Sequence, residues 1–161
     1  MIYFVGAGSG AIDLITVKGK DLLERADLII YAGSLVNPGL LEYAKNECVI
    51  MDSASMTLEE VIDAMVPATE AGKLVVRLHT GDPSVYGAHR EQMDILRKKG
   101  LDFEVVPGVS SFCAAAAALK AEYTLPNVSQ SVIITRMEGR TPVPDRQRIA
   151  DYAAHGATMV I

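Results

Sequence analysis

The sequence predicts an α/β fold, with a mostly parallel sheet of five strands and flanking helices. Short apolar runs rich in β-branched residues alternate with segments of helical periodicity, which is the pattern of βαβ units. The chain has 161 residues, of which 50% are hydrophobic and 22% are charged, a composition typical of a globular domain. We expect an N-terminal α/β domain in residues 1–120, followed by a connector and the beginning of a second α/β domain in residues 121–161.

The strands of the first domain are predicted from its apolar runs, at residues 2–5, 28–31, 49–51, 74–78 and 103–106. Helices are predicted between them, at residues 17–26, 38–45, 58–71 and 85–99, and a fifth helix follows Ser110 or Ser111 and ends near residue 119. Thr16 is the expected N-cap of the first helix. Thr57 and Glu60 have the spacing of a capping box for the third helix.

The remainder of the chain predicts a strand at 132–135, a proline-rich loop, a helix at 146–154 and a further strand at 158–161. This last strand has no finishing turn, and forty residues are too few for a core of their own. We therefore expect the second domain to be truncated.

Charge and composition exclude several classes of protein. A net charge of −5 argues against a nucleic-acid partner, because such proteins usually present a basic face. No apolar run approaches the roughly 20 residues of a membrane helix, and the N-terminus lacks the features of a signal peptide. Cys48 and Cys113 lie in apolar stretches, which predicts buried, reduced thiols and a cytoplasmic protein.

The three histidines indicate no metal site. His79, His89 and His155 lack the spacing of metal ligands, and we expect them to be solvated or to cap helices.

A glycine loop, VGAGSGA at residues 5–11, follows the first strand and has the form of a dinucleotide fingerprint. The fingerprint also requires a helix that opens within the motif and an acidic residue after the second strand. Here AIDLI precedes the predicted helix, and the second strand continues into Ala32 and Gly33. Nicotinamide binding is therefore disfavoured, which leaves a tight packing turn or a loop that faces another ligand.

Two polar turns follow the fourth and fifth strands. LHTGDP contains Gly81, which allows close approach of the backbone, and Asp82, which either contacts a ligand or caps the next helix. PGVSS offers hydroxyls and amides at a helix start. On adjacent strand ends, the two turns would form a crevice suited to an adenosine or a small carboxylate.

A local basic cluster lies in the second domain of this acidic chain. It consists of Arg136, Arg140, Arg146 and Arg148. The cluster is either a solvated loop and helix or a clamp for a polycarboxylate, since guanidinium binds carboxylate through two hydrogen bonds.

The chain resembles the tetrapyrrole (uroporphyrinogen and precorrin) methyltransferase family. The resemblance rests on VGAGSGAIDLITVKG and VVRLHTGDPSVYG with EVVPGVSS, and it extends over the whole chain. Within the family, YAGSLVNP, AAAAALKAEYTLP and TRMEGRTPVP look most like the enzymes that methylate C11 of precorrin-4 or cobalt-precorrin-4. The family's usual GAGPGDP loop is altered here at Ser9, Ala11 and Ile12.

The resemblance implies S-adenosyl-L-methionine as methyl donor, S-adenosyl-L-homocysteine as product, a tetrapyrrole acceptor and a homodimer. Net charge and the lengths of the apolar runs, as described above, predict no nucleic-acid or membrane partner. The donor would contact Ser9, Thr80, Gly81, Asp82, Val85, Ser110 and Ser111, and Arg136 and Arg140 would hold the acetate and propionate arms of the acceptor. No general base is assigned, because the places of an acid and a lysine proposed in some relatives are Gly33 and about Ser53 here.

Two other functions remain open from the sequence. One is a methyltransferase of the same fold that acts on rRNA or a diphthamide precursor. The other is a truncated fragment without catalytic activity.

Overall fold

The computed structural model describes residues 1–139 and 141–161, and for Ser34 the backbone alone. The described chain forms two compact units, Met1–Ser111 and Phe112–Ile161. The predicted domain boundary at residue 120 stays a prediction about the whole protein.

The first unit is built on a five-stranded sheet in which every neighbouring pair is parallel. Its strands are β1 (Ile2–Gly6), β2 (Leu28–Tyr31), β3 (Val49–Asp52), β4 (Val75–His79) and β5 (Phe103–Val106). Their order across the sheet is β3-β2-β4-β1-β5. The predicted fold class is confirmed, and all five strands form within a residue or two of the predicted bounds.

Helices cover both faces of this sheet. They are α1 (Val17–Arg25), α2 (Leu58–Glu70) and α3 (Arg90–Lys98). The Thr16 side chain accepts a hydrogen bond from the Gly19 amide, as expected of an N-cap. Both hydrogen bonds of the predicted capping box between Thr57 and Glu60 are present at the start of α2.

Side chains of the strands alternate between two hydrophobic clusters, because successive residues of a strand point to opposite faces. On the α1 face, Val5, Ile29 and Leu78 pack with residues of α1. On the face of α2 and α3, Phe4 and Ile30 pack with residues of both helices. All five residues of β4 are buried, as expected of a strand covered on both sides.

The short helix predicted after Asn37 forms as a 3₁₀-helix, Pro38–Tyr43. Two other local predictions for the first unit are wrong. The helix predicted from residue 85 begins only at Arg90, because Tyr86 and Ala88 have left-handed backbone conformations, with φ of 54° and 49°. The strands β4 and β5 are not adjacent, since β1 lies between them and pairs with both.

The second unit contains a small parallel sheet, made of β6 (Val132–Ile134) and β7 (Thr158–Val160). A 3₁₀-helix, Asp145–Gln147, and α5 (Ile149–Ala153) lie between these strands in sequence. The helix α4 (Ser111–Leu119) begins at the end of the first unit and is rich in alanine. Within the described residues, no helix is long and apolar enough to cross a membrane.

Candidate functional site: the turns after β1, β4 and β5

The glycine loop after β1 is tied to the turn after β4 by backbone hydrogen bonds. The Gly8 amide donates to the Gly81 carbonyl at 3.2 Å, and the Gly81 amide donates to the Gly8 carbonyl at 2.9 Å. Gly8, Gly10 and Gly81 all have positive φ, a conformation that glycine adopts without steric cost. Ser9 therefore lies, half-buried, at the crown of a loop that is fixed at its base.

The loop is also held from the other side. The Asn37 side-chain amide donates to the Gly10 carbonyl at 2.6 Å, while its oxygen accepts from the Gly39 amide at 3.0 Å. The chain then passes through a 3₁₀ turn, Ile12–Leu14, before α1 begins at Val17. The helix does not open within the glycine loop, so the geometry of a dinucleotide fingerprint is absent, as predicted.

Asp82 connects the turn after β4 to the turn after β5. Its Oδ2 accepts a hydrogen bond from the Gly108 amide at 2.9 Å. Its Oδ1 accepts from the Ser84 amide at 2.8 Å and also from the Ser84 hydroxyl. Since α3 begins eight residues later, Asp82 forms a local Asx-turn and does not cap that helix.

These hydrogen bonds set the protonation of Asp82. Burial acts to raise the pKa of the carboxyl group, but the hydrogen bonds from Ser84 and Gly108 outweigh it and hold the pKa below its ordinary value. The group is therefore a carboxylate at neutral pH.

The three turns meet above the end of β1. A Cβ added to Gly6 would lie 2.6 Å from both the Gly108 amide nitrogen and the Gly81 carbonyl oxygen. The Ser110 Cα lies 3.8 Å from the position of a Cβ on Gly81. Thus the turns predicted to share a crevice do come together, although β1 separates their strands.

The predicted donor contacts differ in their burial and in their hydrogen bonds. Asp82 is engaged by the protein itself, whereas neither the Thr80 nor the Ser110 hydroxyl has a hydrogen-bond partner among the described residues. Thr80 is half-buried and Ser110 is buried. Val85 is half-buried and its amide donates to the Asp82 carbonyl at 3.2 Å, and Ser111 is exposed at the start of α4.

Arg136, a predicted contact for the acceptor, organises its own loop in this structure. Its two terminal nitrogens donate to the carbonyls of Met137, Thr141 and Pro142 and to the Thr141 hydroxyl, at 3.0–3.2 Å. Arg140, the other predicted contact, lies outside the described residues. Arg148 pairs with Asp145 at 2.8 Å on the surface of the second unit.

Expectations for the histidines and cysteines are corrected in part. His79 is only 3% exposed, because it ends a strand that is covered on both sides. His89 is half-buried and precedes α3 without capping it, whereas His155 is exposed.

Both cysteines are free, but Cys113 is exposed on α4, a helix without a buried residue. Cys48 is half-buried, and burial raises the pKa of its thiol. Among the described residues no cluster of three or more His, Cys, Asp or Glu could hold a metal ion.

Comparison with known proteins identifies the family. The family model of tetrapyrrole (corrin/porphyrin) methylases matches residues 1–161. The chain belongs to the tetrapyrrole methylase family. It is 61% identical over 160 residues to the cobalt-precorrin-4 C(11)-methyltransferase of Methanocaldococcus jannaschii, covering 99% of this chain and 62% of that protein.

Solved structures of tetrapyrrole methylases share the fold. The X-ray structure of a cobalt precorrin-4 methyltransferase of cobalamin biosynthesis is 50% identical, with a TM-score of 0.95 over 98% of this chain and 66% of that one. The uroporphyrin-III C-methyltransferase of Thermus thermophilus, crystallised with S-adenosyl homocysteine, is 32% identical with a TM-score of 0.69 over 83% of this chain and 57% of that one. The chain thus spans somewhat less than two thirds of the length of these tetrapyrrole methylases.

Sequence reasoning missed two features of this tetrapyrrole methylase. Asn37 fixes the glycine loop, and the asparagine before Pro38 and Gly39 was a signal of a capped turn. Arg77 is 6% exposed within β4. An arginine inside an otherwise apolar strand is rare enough to have singled it out from the sequence.

Proposed function

We propose that the protein transfers a methyl group from S-adenosyl-L-methionine to a ring carbon of a corrin-precursor tetrapyrrole, at C11 of cobalt-precorrin-4. The observation that carries the proposal is the junction of the turns after β1, β4 and β5, held by Gly8, Gly81, Asp82 and Gly108. In an open parallel sheet, ligands bind at the carboxyl ends of the strands, where these turns lie. The names of the relatives support the choice of acceptor.

The residues at the junction fit a nucleoside. Glycines at positions 8, 10 and 81 leave the backbone uncovered by side chains, so a flat ring can approach it closely. The Thr80 and Ser110 hydroxyls beside them have no partner among the described residues, and each can donate to or accept from a ribose or an adenine. We assign Ser9, Gly81, Asp82, Val85 and Ser111 to the same donor site.

The donor, when bound, supplies a methyl group on a positively charged sulfur that is already a good leaving group. The new bond is made by an electron pair of the ring carbon, while the electrons of the broken S–C bond remain on sulfur. The protein then needs no nucleophile of its own. Its residues hold the two ligands in line and exclude water, and such positioning can supply on the order of 7–11 kcal/mol of the barrier.

Binding of S-adenosyl-L-homocysteine tests the donor site. Calorimetric titration of the full-length protein should detect binding, and Ser110→Ala should weaken it about fivefold, the effect of one neutral hydrogen bond of about 1 kcal/mol. Ser55→Ala, which removes an exposed hydroxyl in the same unit, is the matched control. Equal affinity in the Ser110 variant would remove this residue from the site, and no binding to the wild type would refute the proposed function.

Transfer to the acceptor is tested separately. Incubation with the methyl donor and cobalt-precorrin-4 should add one methyl group, located at C11 by NMR. Methylation of rRNA or a diphthamide precursor instead would establish the same chemistry on another acceptor.

The proposal includes a homodimer, which the family resemblance implies, and a cytoplasmic location, which is supported by the two free cysteines. Light scattering on the full-length protein should give twice the mass of one chain.

A further inference from the structure

A pocket with several polar side chains lies in the first unit, on the sheet face covered by α2 and α3, and Thr80 of the proposed donor site lines its edge. Its volume is about 350 Å³. Ala32 and Ser53, which follow β2 and β3, line one part of it, and Arg77, His79 and Gln92 line another. Arg77 and His79 reach this face because they alternate along β4 with Val76 and Leu78, which pack on the α1 face.

Arg77 is a buried cation without an anion. One of its terminal nitrogens donates to the Ile30 carbonyl at 3.1 Å, and its Nε donates to the Gln92 side-chain oxygen at 3.4 Å. Within the described residues, no carboxylate lies at ion-pair distance from it. Burial lowers its pKa to about 10, so the guanidinium remains charged at neutral pH. A buried charge that is not paired is unfavourable, and pairing with an anion would relieve this cost.

His79 adds an unsatisfied polar atom to the same pocket. Its side chain is 3% exposed, and its Nε2 has no hydrogen-bond partner. Burial, followed by the charges of Arg77 and His89, lowers the pKa of this imidazole to about 3. The ring is therefore neutral at pH 7. Because the ring donates its one N–H to the Gly87 backbone, the free Nε2 is an acceptor, and Arg77 remains the cationic donor inside the pocket.

One acidic side chain also lines the pocket. Glu91 is exposed on the first turn of α3. Water and salt screen an exposed carboxylate far more than a buried guanidinium. Arg77 therefore dominates the electrostatic potential in the interior of the pocket.

We infer that this pocket binds a carboxylate, which pairs with the Arg77 guanidinium. The inference rests on the proposed function, whose two ligands both carry carboxylates. One source is the amino-acid end of the methyl donor, and the other is an acetate or propionate arm of the macrocycle.

Two pairs of stable probes separate these sources. S-Adenosyl-L-homocysteine is compared with methylthioadenosine, which lacks the amino-acid carboxylate. Dicyanocobyrinic acid, a polycarboxylate corrinoid, is compared with its heptamethyl ester. All four are titrated against the full-length wild type, Arg77→Met and the control Arg97→Met, which removes an arginine that is exposed on α3 and pairs with Asp94.

Arg77→Met should weaken binding of one carboxylate probe about 10- to 100-fold, as expected for the loss of a charged hydrogen bond. It should leave the matching probe without a carboxylate unchanged, and Arg97→Met should change neither. A loss confined to S-adenosyl-L-homocysteine assigns the pocket to the donor, and a loss confined to cobyrinic acid assigns it to the macrocycle. Unchanged affinity for both acids overturns the inference, while retained methylthioadenosine binding shows that the proposed donor site still stands.

If Arg77→Met does not fold, wild-type crystals grown with each acid decide the question. A carboxylate oxygen within hydrogen-bond distance of the Arg77 guanidinium supports the inference. Ordered carboxylates found only elsewhere overturn it.

Discussion

The Asp82 carboxylate accepts the Gly108 amide at 2.9 Å, and this single contact joins turns whose strands are separated by β1. The same side chain closes its own turn through Ser84. Asp82 is thus a structural link in the first unit as well as a proposed donor contact, and its substitution should alter both stability and binding.

Asp82→Asn should lower the free energy of unfolding by about 1–3 kcal/mol. The amide retains one oxygen for the Ser84 amide but loses the second acceptor, so the Gly108 N–H is left without its partner. Urea denaturation followed by circular dichroism measures the change. Asp63→Asn, on an exposed position of α2, is the control and should differ little from the wild type. Identical midpoints for Asp82→Asn and the wild type would contradict the structural role.

Gly108→Ala should destabilise the protein by about 1–3 kcal/mol, because the added methyl group would collide with the Gly81 carbonyl and with the Gly6 backbone. Gly139→Ala makes the same chemical change at a position with no atom within 4 Å of the added Cβ, and its effect should stay within about 0.5 kcal/mol. Thermal and urea unfolding of both variants test the difference. Equal stability of the two variants would show that the turns can separate at little cost.

The buried His79 should make stability depend on pH. Its pKa is about 3 in the folded protein and 6.5 as an ordinary value, so the unfolded chain binds the extra proton between these limits. The free energy of unfolding should therefore fall as pH decreases from about 6.5, with a slope approaching 1.4 kcal/mol per pH unit from this residue.

His89, whose pKa is also lowered by burial, contributes in the same direction. Urea unfolding at pH 4.5–6.5 should show a shallower slope for His79→Phe than for the wild type, whereas His155→Phe, at an exposed position, should keep the wild-type slope. An unchanged slope in His79→Phe would mean that the imidazole is accessible to protons in the folded state.

Arg136→Ala should loosen the loop that its guanidinium holds. Loss of the hydrogen bonds to the Thr141 and Pro142 carbonyls should let the adjoining end of β6 fray and raise amide exchange at Thr135, whose amide donates to the Val160 carbonyl at 2.9 Å, about tenfold, as for a loss of about 1.4 kcal/mol. Arg146→Ala, which removes an exposed arginine of the same unit, is the control. If exchange does not change, Arg136 is free to serve the acceptor, as the family resemblance implies.

The strands and the capped helices were predictable because their signals are local. A strand such as β4 is marked by its apolar residues, and the start of α2 by the spacing of Thr57 and Glu60. The late start of α3 was not predictable, because residues 85–89 have helical character in sequence while Tyr86 and Ala88 are held in left-handed conformations. In this segment Gly87 packs closely against the Pro83 carbonyl. This packing overrides the local preference of the sequence for a helix.

The turns of the candidate site were predictable from the sequence, but the contacts between them were not. Gly81, Asp82 and Ser110 were identified from their motifs, whereas the order of strands that inserts β1 between β4 and β5 is a tertiary property. Because the strand order was not known from the sequence, the hydrogen bond between Asp82 and the Gly108 amide could not be predicted. The pocket around Arg77 depends on which face of β4 each side chain occupies and on the packing of α2 and α3.

The place of β1 between β4 and β5 has a consequence for biosynthesis. During synthesis β1 is made before both strands with which it pairs in the described sheet, β4 and β5, which end at His79 and Val106. At a synthesis rate of about 5–20 residues per second, roughly 5–20 s pass between the synthesis of the apolar segment IYFV of β1 and that of β5. During that interval its unpaired edges are open to aggregation, so this segment of the nascent chain is a natural point of engagement for a chaperone.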